Sequence, residues 1–467
     1  ILDEHGARFE SALPYLGLGN EATAKALIDK YGDDYVVVSI GQAGEMQLGA
    51  AAIAVTDANG QPFRMAARGG MGAVMGSKGL KAILIRRIAA RDGALARDAA
   101  RSATIAFHKF VAPSPRVKVL REYGTASTVM LTQMLGGLPT RNFSAGQFEH
   151  AEAIGGEALR DIILSRGGEG APTEACMDGC LIQCSNIFAD AEGRLSAAPL
   201  EFETIGLVGA NLGLESLDEV ARINRLCNDL GLDTIEIGAA LGVMMEAAET
   251  DTAPVELREL LPRFGDGAPA AEIVAEIARG TRLGKLLASG VVAVGKALGV
   301  RRVPAVKGQA MSAYDPRAIK GTGVTYATSP QGADHTAGLT VFAQVDHRDP
   351  TKAVALSRAS QLQRAAYDAL GLCVFNIGAT GARPDLVLAM LKSTYGLDLP
   401  PDWLDSLGRR VIDLERAFNR AAGFTDSDDR LPDFLTHETL PPTGSVFDVP
   451  EVELDQLWNN SGVADSR

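Results

Sequence analysis

Histidine, tryptophan and cysteine are scarce in this chain: 6, 2 and 5 among 467 residues, with aromatics at only 5%. An odd, small number of cysteines argues against a disulfide framework. No apolar run approaches the roughly 20 residues that a membrane-crossing helix needs. No secretory pattern is present either, so no membrane partner and a cytoplasmic location are the expectation. A basic surplus is also lacking. Lys and Arg number 45 against 58 Asp and Glu, for a net charge of −13, which argues against nucleic acid as a partner.

What the chain does have is 46% apolar residues and 51 glycines. That composition suits large, tightly packed cores and close approach of backbone to a ligand. The length favours two or three domains. The sequence opens at Ile1 in mid-pattern, and its natural N-terminus is expected to lie upstream.

Apolar spacing predicts a helix over 21–31 and short strands over 35–40, 51–56 and 81–86, with a turn at Asp57-Ala-Asn-Gly60. Beyond residue 90 strand signals thin out. Helices are predicted over 95–111, 216–230, 234–248, 269–280, 284–298, 351–370, 384–394 and 402–422. The helix at 216–230 carries a Ser216/Glu219 capping-box signature. The Asp-, Pro- and Ser-rich tail after 424 reads as extended over the surface. The fold class is therefore α+β, a sheet-containing N-terminal part followed by a mostly helical body.

Three of the five cysteines fall within nine residues, as Cys176-x3-Cys180-x3-Cys184. Pro172 and Gly179 favour a loop with a turn of helix there, which lets thiolates converge on an inorganic centre. A cubane iron–sulfur cluster takes four thiolates. Cys373, at the end of a second motif, is the natural fourth ligand; Cys227, on an apolar helix, competes with it. A tetrathiolate zinc site and plain buried thiols are the other readings.

Residues 68–83 read RGGMGAVMGSKGLKAI, a glycine-rich loop that fits neither a phosphate-binding P-loop nor a dinucleotide fingerprint. A short motif occurs twice, as Asn-Asp-Leu-Gly-Leu-Asp at 228–233 and Asp-Ala-Leu-Gly-Leu-Cys at 368–373. Its glycine suits a helix C-cap. The motif is either two ordinary helix ends or two related loops whose carboxylates and amides accept hydrogen bonds from two similar ligand halves.

Taken in order, these motifs resemble the aldehyde ferredoxin oxidoreductase family. So do GT at 124–125, LPTRNF at 138–143, EFETIGLVGANLG after the cysteines and AYDPRAIKGTGVTYATSPQGADH at 313–335. The resemblance runs from about residue 11 to 420. It implies a partial N-terminal pterin-binding sheet domain over 1–92, a helical domain over 93–300 and a second helical domain over 301–467. It implies a tungsten or molybdenum ion on two molybdopterins, a 4Fe-4S cluster nearby, and a magnesium ion at the pterin phosphates. Cys176, Cys180, Cys184 and Cys373 would ligate the cluster. Arg68, Gly70, Met71, Gly72 and Ala73 would meet the phosphates. Asn228, Leu232 and Asp233 would contact one pterin, Asp368 and Leu372 the other. Glu203 and His335 would be the catalytic pair beside the metal. Glu201 is the alternative base.

The implied reaction is oxidation of an aldehyde substrate to a carboxylic acid, with electrons leaving to ferredoxin or an iron–sulfur partner subunit; homo-oligomers are compatible with it. An electron-transfer or scaffold subunit, and a reductase of acids or thioesters, are the alternatives. This chain departs from the family pattern in opening its cysteine motif with x3 where x2 is common. It also carries Asn228 where aspartate is usual.

Overall fold

The computed structural model describes residues 1–66, 68–87, 97–177, 179–381 and 383–459. The N-terminal part is a six-stranded sheet in the order β2-β1-β6-β3-β4-β5. The strands are β1 (Leu2–Asp3), β2 (Gly6–Ala7), β3 (Tyr35–Ser39), β4 (Ala54–Val55), β5 (Arg64–Met65) and β6 (Ala82–Arg86). Its spine is the antiparallel β3–β6 pair, in register from Tyr35↔Arg86 to Ser39↔Ala82. Tyr35, Val37 and Ser39 are buried and their neighbours only half so, the period-two alternation of a strand with one better-covered face. The helix Asn20–Tyr31 lies on that face, where Leu27 packs with Tyr35, Val37 and Leu84.

The body is mostly helical, and the helices at 216–230, 234–248, 269–280, 351–370, 384–394 and 402–422 form within a few residues of expectation. Of the helix expected at 95–111, residues Arg97–Val111 are helical; 95 and 96, like the boundary at 92/93, lie outside the described residues. Helix Thr234–Glu249 is apolar on all sides and buried nearly throughout, the pattern of a central core helix. One continuous core runs from Ala43 to Trp458. A second joins helix Arg97–Val111 and helix Pro115–Tyr123 to Ile182 and to Ala366, Tyr367, Val387 and Leu404.

Four expectations are corrected. The segment 284–298 is two helices, Arg282–Ala288 and Val291–Leu298, because Gly290 turns the chain at φ +100°. Ser216 caps its helix without a side-chain bond, so the capping box does not form. The tail after 424 is not draped over the surface. It buries Leu431, Phe434, Leu435, Leu440, Phe447 and Trp458 in the main core. Strands also recur after residue 90, as β7 (Ala171–Glu174), β8 (Ser185–Ala189) and β9 (Leu195–Ala197) in an antiparallel sheet. Each is short and β7 contains Pro172, which left little periodicity to detect.

Candidate active site

The glycine-rich loop rests on Ala50–Ala52. Gly69 and Gly70 take φ of +69° and +76°, open to glycine at little cost, and turn the chain into helix Met71–Ser77. A Cβ on Gly72 would come within 2.4 Å of the Ala52 carbonyl oxygen, so only glycine allows this approach. The other side of Ala50–Ala52 pairs with the first repeated motif. Ala52 N–H donates to Gly231 O at 2.8 Å and Asp233 N–H donates to Ala50 O at 3.0 Å. Gly231 caps its helix in the left-handed region, as read from the sequence. The loop and the motif are thus stacked on one backbone segment.

Arg68 ties this floor to the rest of the site. Its Nε donates to Asp233 Oδ2 at 2.9 Å, and its terminal nitrogens donate to Ala310 O at 2.8 Å and Ala333 O at 3.2 Å. Burial works against the guanidinium's charge, but Asp233 and Asp334 more than offset it and raise the pKa. Asp233 also caps helix Thr234–Glu249 through Ile235 N–H, so both its oxygens are engaged. The Asn228 amide donates to Ala198 O at 3.3 Å, and Leu232 is fully buried.

Glu203 lies in the turn Phe202–Thr204, which widens into a π-helical segment at Ile205–Gly209, an irregularity common at functional sites. Its Oε2 accepts from Ala313 N–H at 2.8 Å, while Oε1 is buried without a hydrogen-bond partner. Burial raises the Glu203 pKa, against the opposing pull of His335, the Ala313 N–H and Arg68. His335 Nε2 stands 3.4 Å from Glu203 Oε1, and its Nδ1 meets Ser312 Oγ at 2.9 Å. Glu201 is turned to Thr125, whose hydroxyl donates to it.

A cavity of about 890 Å³ brings much of this together. Arg68, Gly69, Met71, Glu201, Glu203, Asn228 and Asp233 line it, with Asp334 and Gln309. Arg64 Nε, Glu203 Oε1 and Gln309 Nε2, all on its walls, are buried and unpartnered. A polar ligand offering both donors and acceptors fits such a wall. Gly72 lies beneath it. Asp368 and Leu372 do not line this cavity. Asp368, on the exposed end of helix Pro350–Ala369, is within electrostatic reach of Asp334, and burial raises its pKa.

The described residues of the cysteine loop run between β7 and β8 as bends and a turn at Gly179, and none of them is in the expected turn of helix. Cys180, Cys184 and Leu372 pack on the same apolar cluster, which places the second motif against the loop. The four thiols act on one another. Burial and then Cys180 raise the Cys176 pKa, with Cys373 adding to it. Burial, Glu201 and Cys373 raise that of Cys184. Burial also pushes Cys180 up, but the N–H groups of Gln183 and Ile182 outweigh it and the net shift is down. Cys227 is buried in the main core. Among the described residues no three His, Cys, Asp or Glu side chains are close enough to hold a single ion. A polynuclear cluster sets its thiolates further apart than one zinc ion does.

Residues 1–87 match the sequence model of the aldehyde ferredoxin oxidoreductase N-terminal domain, and 102–462 that of domains 2 and 3. The chain belongs to the aldehyde ferredoxin oxidoreductase family. Tungsten-containing aldehyde ferredoxin oxidoreductase from Pyrococcus abyssi is 32% identical over 438 residues, spanning 90% of this chain and 69% of that protein. The WOR-like subunit of Pyrococcus furiosus aliphatic sulfonate oxidoreductase is 27% identical over 433 residues, 87% of this chain and 63% of its own. The fold alone is also similar to that of the BamBC active-site complex of benzoyl coenzyme A reductase, with a TM-score of 0.70 at 17% identity over 91% of this chain and 71% of that one. The α+β class expected from the sequence agrees with these relatives, and the chain is an oxidoreductase of this family. No helix among the described residues is long and apolar enough to cross a membrane.

Sequence reasoning missed Ser312, Gln309, Arg64 and Asp334. Asp334 adjoins His335 in the quoted GADH stretch and was open to notice. Ser312 and Gln309 sit in an unremarkable GQAMSAY run, and nothing in it marks them.

Proposed function

We propose that this chain oxidises aldehydes to carboxylic acids at a tungsten bis-pterin centre in the 890 Å³ cavity. The balance is aldehyde plus water to acid, two protons and two electrons. A tungsten bis-pterin would supply the two-electron acceptor, and a 4Fe-4S cluster would pass the electrons singly to ferredoxin or an iron–sulfur partner subunit. The observation that carries the reading is Glu203 on the wall of a cavity floored by the Arg68 loop and the first repeated motif, with His335 Nε2 3.4 Å from its Oε1.

Glu203 takes a proton from the attacking water, and the unpartnered Oε1 is the atom that receives it. His335 donates through Nε2 toward the substrate oxygen. Arg68, Gly70, Met71, Gly72 and Ala73 would hold the pterin phosphates, where magnesium would supply neutralising charge. Asn228 and Asp233 on the cavity wall would hold one pterin, with the fully buried Leu232 supporting them between the two. Asp368 and Leu372, which lie off this cavity, would hold the other, and Cys176, Cys180, Cys184 and Cys373 would bind the cluster. The parts over 1–92, 93–300 and 301–467 would be the pterin-binding base and two helical domains above it. Anaerobic purification followed by metal analysis tests the proposal. It requires tungsten and iron together with aldehyde-dependent reduction of a one-electron acceptor. Iron without tungsten would favour an electron-transfer subunit.

A further inference from the structure

Ser312 is completely buried, and its hydroxyl lies between two groups of the site. Arg68 approaches Ser312 Oγ at 3.5 Å, and His335 Nδ1 stands 2.9 Å from the same oxygen. A guanidinium has donors only. It draws the Ser312 oxygen lone pairs toward itself and leaves the hydroxyl proton pointing at the imidazole. Nδ1 is then an acceptor and the ring proton sits on Nε2. Nε2 lies 3.4 Å from Glu203 Oε1, a buried acceptor that receives no hydrogen bond and is free to take one.

Other charged and titratable groups approach the ring or Ser312, and the buried Tyr326 hydroxyl reaches toward Ser312 without making a hydrogen bond. Asp334 Oδ1 is 3.6 Å from Nδ1, but it already accepts from Thr336 N–H and Thr336 Oγ1 and lies 3.8 Å from Arg68. The Tyr314 ring is at 6.1 Å and tilted. The next residue completes the arrangement: Ala313 N–H holds Glu203 Oε2 at 2.8 Å. Two adjacent residues on one strand of chain thus hold the two members of the pair, one by a side chain and one by the backbone.

We propose that Ser312 is a positioning residue that sets His335 in its Nε2–H tautomer and aims that proton at the Glu203 side of the cavity. The proposal rests on the Glu203–His335 reading for its use in catalysis, while the tautomer itself is independent of it. In the full-length holoenzyme, 15N-labelled histidine spectra, with His335→Asn to assign the signal, should show the neutral His335 ring as a single Nε2–H tautomer. In Ser312→Ala, and in the nearly isosteric Ser312→Cys with its weak S–H donor, the spectrum should become a tautomer mixture or shift toward Nδ1–H or the doubly protonated ring. Turnover should fall about 10–100-fold with KM little changed. A His335 that keeps one Nε2–H tautomer in both folded variants overturns the proposal. Full activity in His335→Asn would instead remove the catalytic pair and leave the tautomer result standing.

Discussion

At the scale of single residues, Glu203 carries the sharpest expectations. Glu203→Gln should lower turnover about 10²–10⁴-fold while tungsten and iron contents stay normal. Its acid limb follows from burial. A base works only as the carboxylate, so activity should fall as pH drops through a Glu203 pKa raised above the ordinary value of about 4.3. The same shift has a stability sign. The folded state holds the Glu203 proton more tightly than the unfolded one, so this stabilising contribution is present at low pH and lost as pH rises through the raised pKa. Thermal melts of the metal-free protein should therefore show Glu203→Gln gaining on the wild type toward neutral pH and losing that advantage in acid.

Cysteine substitutions divide in the same way. Cys373→Ser should lose most of the iron, whereas Cys227→Ala should keep it and only loosen the core, read by iron assay beside a melting curve. Burial raises the Cys227 thiol and keeps it protonated, which suits packing. The cysteine triplet could be picked out in the sequence because clustered thiols are conspicuous there, whereas Glu203 and His335 stood out through the segments that resemble the family, with the apolar stretch around Glu203 as a further sign. Ser312 could not, since a buried serine acquires its meaning only from Arg68 and His335, 244 and 23 residues away.

At the scale of elements, close backbone contact is the recurring device. Gly72→Ala puts a methyl 2.4 Å from Ala52 O, a backbone atom that cannot swing aside. The variant should be destabilised by about 1–3 kcal/mol and should release tungsten more readily on dialysis, because the Arg68 loop is lifted off its floor. Helices were legible because their apolar spacing is local, and the long ones formed nearly as spaced. The β7–β9 sheet was not, because strands of three to five residues with a proline carry almost no period. The tail was misread for a related reason. Its polar composition concealed single apolar anchors such as Phe434, Phe447 and Trp458, and one anchor per turn of loop leaves no pattern.

At the scale of the whole molecule, those anchors decide stability. Deleting everything after residue 424 would expose the core surface that Leu431, Phe434, Leu435, Leu440, Phe447 and Trp458 cover. At about 1.5–3 kcal/mol for each large side chain, the loss is of the order of the 5–15 kcal/mol that holds a typical domain together. The truncated chain should be insoluble or bind hydrophobic dyes, which expression and dye fluorescence will read.

The contacts of the N-terminal sheet also reach far along the chain. Asn20 donates to the Asn228 carbonyl, Ala52 to that of Gly231, and Arg68 to that of Ala333. Ribosomes add about 5–20 residues per second. The first strands are therefore made on the order of ten seconds or more before Gly231 is added, and wait longer still for Ala333. During that interval Ala52 N–H and the Ala50 N–H and carbonyl lack their Gly231, Ala288 and Asp233 partners, and the Arg68 guanidinium lacks its acceptors. Nascent chains stalled near residue 150 should be cut readily by protease within 40–90, and chains stalled beyond the complete sequence should resist. The site at the centre of the mature enzyme is thus among the last parts of it to take shape.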